Sequence, residues 1–157
     1  MASLYGAEYT NVTQDVPSEK APINKWGGNV RVMYDTYAIA ADLASGDKIY
    51  LGKLKKGDRV LEVILSTDDL DASGGTLDVG YEYNASGESS LTDDLDAFLA
   101  NVDVTTSGGI SKAMSAQANM PGFGYAVEGD ADIVVTVDGD TDVTSGNIKL
   151  CVIYAAS

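Results

Sequence analysis

Histidine is absent from the 157 residues, and cysteine occurs once, as Cys151. The first absence removes imidazole acid–base catalysis, histidine-based triads and imidazole metal sites. The second removes intrachain disulfides and thiolate zinc centres. Cys151 falls in an apolar run, where a small buried hydrophobe is expected rather than a reactive thiol. Basic residues are also scarce: Lys and Arg total 10 against 24 Asp and Glu, a net charge of −14. Phosphate backbones and anionic lipid surfaces are held by clustered Lys and Arg. The one basic cluster, Lys53, Lys55, Lys56 and Arg59, flanks a turn, so neither a nucleic acid nor a membrane is expected as partner. No apolar run approaches the ~20 residues of a spanning helix. The first twenty residues combine neither a basic segment nor an apolar stretch, so no secretory leader is expected and synthesis in a cytoplasm is. No phosphate-binding or dinucleotide-binding glycine pattern follows a strand and opens a helix.

What is present points to strands and turns. Gly occurs 17 times and Pro only three. Nine Tyr stand against two Phe and one Trp; an apolar ring with a polar tip suits half-buried strands and interfaces. Alternation of apolar and polar residues predicts strands at Val30–Tyr37, Lys48–Leu54, Arg59–Thr67, Thr76–Tyr83, Phe123–Glu128, Ala131–Val137 and Asn147–Tyr154, with Gly, Asp and Ser between them. In the third, Leu61, Val63 and Leu65 are expected in the core. Val79, Ile133, Val135, Leu150 and Val152 should join them. Leu91, Leu95, Phe98, Leu99 and Val102 recur at helical spacing and predict one short helix over Leu91–Val102, with Thr92 as cap and Asp93 and Asp94 in its first turn. Short strands with turn signals every eight to twelve residues give an all-β chain: an antiparallel β-sandwich, jelly-roll-like, with one short helix.

Residues 1–29 hold no period and contain two of the three prolines. They are expected to form an extended arm, leaving residues 30–157 as the sandwich domain. Tyr5, Tyr9, Ile23 and Trp26 are the arm's candidate interface residues, since a lone Trp is rarely left in water.

Acidic clusters are the candidate chemistry. Asp138-Gly139-Asp140-Thr141-Asp142 places carboxylates at alternate positions, as calcium loops do, but lacks the later Gly and Glu of an EF-hand loop. Asp138, Asp140 and Asp142 are thus a weak metal candidate against a solvated hairpin loop. Asp68, Asp69 and Asp71 form a second cluster, and Asp93, Asp94 and Asp96 are accounted for by the expected helix N-terminus. Carboxylate pairs arise by chance at this acidity, so no catalytic pair, no cofactor and no enzyme activity is assigned.

The run Leu51-Gly52-Lys53-Leu54-Lys55-Lys56-Gly57-Asp58-Arg59-Val60-Leu61 resembles a strand–turn–strand found in small virion proteins of tailed bacteriophages. An apolar strand, an acidic loop and Leu77-Asp78-Val79-Gly80 follow it, as in that group. Gly124-Tyr125-x-Val127, Asp132-Ile133-Val134-Val135-Thr136 and the stretch from Gly146 through Ile148-Lys149-Leu150 to Tyr154 continue the likeness, which covers roughly residues 30–154. The resemblance implies a capsid decoration (cement) protein or related head accessory protein. Its partners would be the major capsid protein and itself, as a homotrimer, on the outer surface of the virion. Two other readings stay open: a tail, neck or fibre-associated subunit, and a carbohydrate- or calcium-binding β-sandwich module.

Overall fold

The computed structural model describes residues 27–70, 75–84, 90–104, 108–113, 124–138 and 143–157. The elements it defines are all strands: β1 (Val30–Ala38), β2 (Lys48–Leu54), β3 (Arg59–Thr67), β4 (Thr76–Tyr83), β5 (Asp94–Asp103), β6 (Ile110–Lys112), β7 (Ala131–Asp138) and β8 (Asn147–Ala155). One rule orders them. The first strand pairs with the last, the second with the seventh, the third with the sixth and the fourth with the fifth, all antiparallel. A long hairpin wound in this way yields two four-stranded sheets, β1-β8-β3-β6 and β2-β7-β4-β5. That is the eight-stranded jelly roll.

Alternation then fills the space between the sheets. Val63, Leu65, Leu77, Val79, Ile133, Val135, Leu150 and Val152 point inward and are buried, with Leu54, Phe98 and Leu99 beside them. Each fully buried aliphatic or aromatic side chain contributes about 1.5–3 kcal/mol. Leu61 departs from expectation and is only half-buried. The register of β3 on β8 slips between Val60 and Glu62. This bulge adds one residue and turns Val60 inward in place of Leu61.

The expected helix over Leu91–Val102 is a strand instead. β5 pairs with β4 at Tyr81–Asp94, Val79–Leu99 and Leu77–Val102, with register shifts between these points. Between Tyr81–Asp94 and Val79–Leu99, the single residue Gly80 of β4 thus faces four of β5. The excess bends β5 over Gly80, where a Cβ would stand 2.0 Å from the Asp94 carbonyl oxygen. Asn101 adds a further irregularity at φ 53°, a conformation Asn tolerates. Ala97, Phe98 and Leu99 are consequently buried in succession. Such a pattern copies helical spacing without a helix.

The expected strand Phe123–Glu128 reduces, in its described part, to a single bridge between Ala126 and Arg59. Main-chain bonds link it to the start of β3: Val60 N–H donates to Tyr125 O and Val127 N–H to Asp58 O. The tight turn before β3 is fixed by Asp58, a buried carboxylate. It accepts the Lys55 N–H at 2.9 Å and the Ser157 N–H at 3.0 Å, so the last residue is tied to the turn. Gly57 sits there at φ 91°, and a Cβ on it would lie 2.9 Å from Ser157 Cβ.

Candidate functional site

The two outer faces of the sandwich differ in chemistry. On the β2-β7-β4-β5 sheet, the outward positions of β7 and β4 include Asp132, Asp138, Asp78 and Glu82. Lys48 reaches Glu82 at 2.9 Å and Lys53 reaches Asp132 at 2.9 Å. Tyr50 O–H also donates to Glu82, at 3.1 Å. The Lys48 hydrogen bond holds the Glu82 carboxyl below its ordinary pKa. Burial pushes Asp78 up, and burial followed by the neighbouring Asp96 does the same to Asp94. This face is acidic and largely self-paired.

The outer face of the β1-β8-β3-β6 sheet is apolar. Register places Val32 beside Ile153, and Tyr34 beside Cys151 and then Ile64. Val30, Val32 and Tyr34 are 61%, 61% and 66% exposed, and Ile110 is 68% exposed. Cys151, expected to be a buried hydrophobe, is a free thiol only half-buried on this face, while its neighbours Leu150 and Val152 point into the core. The charged residues among these strands' outward positions are Arg59, Glu62, Lys112 and Lys149, the last bound to Asp68 at 3.0 Å.

One end of the sandwich is closed by phenols. Tyr81 and Tyr125 stack with centroids 5.3 Å apart, and the Tyr83 and Tyr125 hydroxyls lie 2.8 Å apart. Burial, then the Tyr125 hydrogen bond, pushes the Tyr83 phenol up to about 12. The Glu128 N–H donates to Tyr83 Oη at 3.2 Å. Arg59 donates to the Gly124 carbonyl beside this cluster. These contacts fix residues 124–128 against β3 and β4 and occupy the faces of Tyr81 and Tyr125.

Only some of the residues expected to bear chemistry are described. Tyr5, Tyr9, Ile23 and Trp26 lie outside the described residues, as do Asp140, Asp142 and Asp71. Asp138 is exposed at the end of β7. Asp68 is structural: it accepts from Asn147 Nδ2 at 2.6 Å as well as from Lys149, and these bonds lower its pKa. Asp93 caps no helix and instead accepts the Tyr83 N–H at 2.8 Å. Among the described residues, no group of three carboxylates or thiols could hold a metal ion. A cleft of about 520 Å³ runs between β1 and β2, lined by Asp35, Tyr50, Leu51, Gly52, Lys53 and Asp132. It brings together an acid–lysine pair and one phenol, with no activated nucleophile.

The chain is therefore a jelly-roll module whose distinctive surface is an apolar sheet face ending at a strand, β1, whose outer edge is unpaired among the described residues. No family model and no curated protein matches it. Solved structures do. It is similar to a chain of the capsid of Ralstonia phage GP4, at 25% identity and a TM-score of 0.65, over 83% of this chain and 86% of that one. It is also similar in fold to a chain of the cyanophage Pam1 capsid asymmetric unit, at 24% identity and a TM-score of 0.62, over 92% of this chain and 98% of that one. These structural neighbours are phage capsid proteins.

Proposed function

We propose that this chain is a structural protein of a bacteriophage head, a decoration protein that binds the capsid exterior and cements neighbouring coat subunits, with no reaction catalysed. The observation that carries the reading is the jelly roll shared along most of both chains with the capsid chain of Ralstonia phage GP4. The sequence resemblance to phage virion proteins supports it independently. The surface suits the role as well. A chain of net charge −14 stays soluble and avoids the genome, while its charge-poor apolar face offers the contact area. We assign the coat contact to that face and to the arm residues Tyr5, Tyr9, Ile23 and Trp26. Each decorated site contributes only a few kcal/mol through a standard-sized interface, and repetition over a shell multiplies the effect.

The test is to add purified protein to undecorated, expanded heads and map its density by cryo-electron microscopy. Ordered density on the outer shell, with a higher temperature of head rupture, is the expected result. Absence of head binding, with density on tails or fibres of complete virions, would refute the assignment. Deleting residues 1–22 should leave the domain folded and weaken head binding; unchanged binding would remove the arm from the interface.

A further inference from the structure

The jelly roll has four edge strands, and three are blunted. β2 carries Lys48 and Lys53 and a register break between Tyr50 and Gly52. β5 is broken twice against β4. β6 has three residues. Lysines, bulges and short length are the devices by which edges avoid pairing with other chains. β1 has none of these three; its only charged residues are Arg31 and Asp35, on the inward side of the strand. Its nine residues run in unbroken register against β8, from Val30–Ala155 to Ala38–Asn147, and contain no Lys, Pro or Gly. Seven of the nine are exposed.

The direction of its free main-chain groups follows from the bonds just beyond its ends. Ile39 N–H donates to Gly146 O, and Asn29 O accepts from Ala156 N–H. Odd-numbered residues therefore face β8, and the N–H and C=O groups of Val30, Val32, Tyr34 and Thr36 face outward. Consistent with this, the Thr36 N–H turns to the Asp35 carboxylate at 2.8 Å.

We propose that this edge pairs with β1 of a second copy, antiparallel about a two-fold axis through Met33. The register is set by side chains. A two-fold axis perpendicular to the sheet keeps both apolar faces on one side and requires directly opposed residues to share parity. The pairing must then centre on a residue. Centred on Arg31 or Asp35, it sets like charges against each other, and centred on Val32 or Tyr34 it leaves Arg31 and Asp35 without an opposite charge across the ladder. Centred on Met33, it sets Arg31 of each copy against Asp35 of the other, Val32 against Tyr34, and Val30 against Thr36. Opposite charges and aromatic–β-branched pairs are the favoured cross-strand neighbours, and the same patch meets itself, as an isologous contact requires. The four outward-facing residues of each strand then exchange about eight main-chain hydrogen bonds, two per pair, once the Thr36 N–H exchanges the Asp35 carboxylate for the facing strand. Two four-stranded sheets become one of eight, and the Val30, Val32 and Tyr34 patches join.

The test uses the full-length protein in sedimentation equilibrium at low salt. Wild type should have twice the 16.4 kDa chain mass. Arg31→Asp and Asp35→Arg alter exposed side chains, so both variants should melt like wild type. Each should weaken the dimer by roughly tenfold or more, because both symmetry-related pairs turn repulsive. The double variant sets the swapped charges face to face again and should recover the wild-type constant to within about threefold. A monomer, the result expected if residues 1–26 of the same chain cover the edge, overturns the proposal. So does a three-copy mass. So do single variants that dimerise normally, or a double variant that fails to recover. The measurement needs no capsid and stands or falls separately from the head assignment.

Discussion

Gly80→Ala adds one methyl group, and the structure assigns it a large effect. A Cβ at this position would stand 2.0 Å from the Asp94 carbonyl oxygen, 2.3 Å from the Leu95 carbonyl carbon and 2.6 Å from Leu95 Cα. All three are main-chain atoms, so no rotamer change relieves the overlap. The chain at Asp94 and Leu95 must move by more than an ångström to reach an ordinary contact, and it carries the only β4 pairing at that end of β5, Tyr81 to Asp94. The cost is set at about 3 kcal/mol, the upper end of the range for overpacked sites. For a chain of this length that lowers Tm by about 6–12 °C in differential scanning calorimetry. Gly52→Ala is the control. Its Cβ would meet Met33 Cε and Sδ at 3.5 Å and Ile133 Cβ at 3.6 Å, ordinary contacts, and its stability should stay within about 1 kcal/mol of wild type. A Gly80→Ala variant melting within a degree or two of wild type would mean that β5 does not cross over β4 as described. The expected helix over Leu91–Val102 would then return to consideration.

Val63 is fully buried on β3 opposite Val152, so Val63→Asp places an unpartnered charge in the core and should abolish cooperative folding; a wild-type-like melting transition would remove β3 from the centre of its sheet. Tyr83, raised to about 12, gives a pH dependence of definite sign. The unfolded phenol ionises near its ordinary value of about 10, so between roughly pH 10 and 12 the folded state binds the extra proton and stability falls as pH rises, with no contribution below that window. Alkaline melting curves should show this decline reduced in Tyr83→Phe, the rest coming from Tyr81 and Tyr125, which burial also pushes up; an unchanged alkaline melting profile in that variant would show that the Tyr83 phenol does not contribute.

Most of the fold was legible because turn chemistry and strand period agree. Lys48–Leu54, Arg59–Thr67 and Thr76–Tyr83 are found at the expected bounds, each bordered by Gly, Asp or Ser and each alternating. Legibility failed where an extra residue breaks the period. The bulge at Leu61 exchanges it for Val60. The triple insertion in β5 puts Ala97, Phe98 and Leu99 on successive buried positions and mimics a helical stripe. Val134 was hidden for a related reason. It points away from the core yet is fully buried, because its neighbour across the ladder is Gly80, over which β5 folds. The candidate surface was less legible. Val30, Val32 and Tyr34 alternate with Met33 and Tyr37, and an apolar residue on either face reads alike in one dimension. That the former are bare and the latter packed depends on β1 lying at a sheet edge, which pairing alone decides.

The distribution of charge ties the two proposals together. Acids crowd the outward positions of β7 and β4, so apposing that face to a second chain of net charge −14 would bring like charges together. Contact is least opposed where acids are sparse, along β1, β8 and β3. At the β1 edge the free main-chain groups direct association in the plane of the sheet, which leaves the outer face of Val30, Val32, Tyr34, Ile64 and Ile153 uncovered. A pair joined in this way presents that face twice on one side. Two weak contacts with a shell then act through their effective concentration rather than singly. Disrupting the edge by Arg31→Asp should therefore weaken attachment to heads more than the loss of a single surface charge accounts for, and the charge-swapped double variant should restore it. Equal head binding by wild type and Arg31→Asp, with the dimer shown to be lost, would separate self-association from decoration.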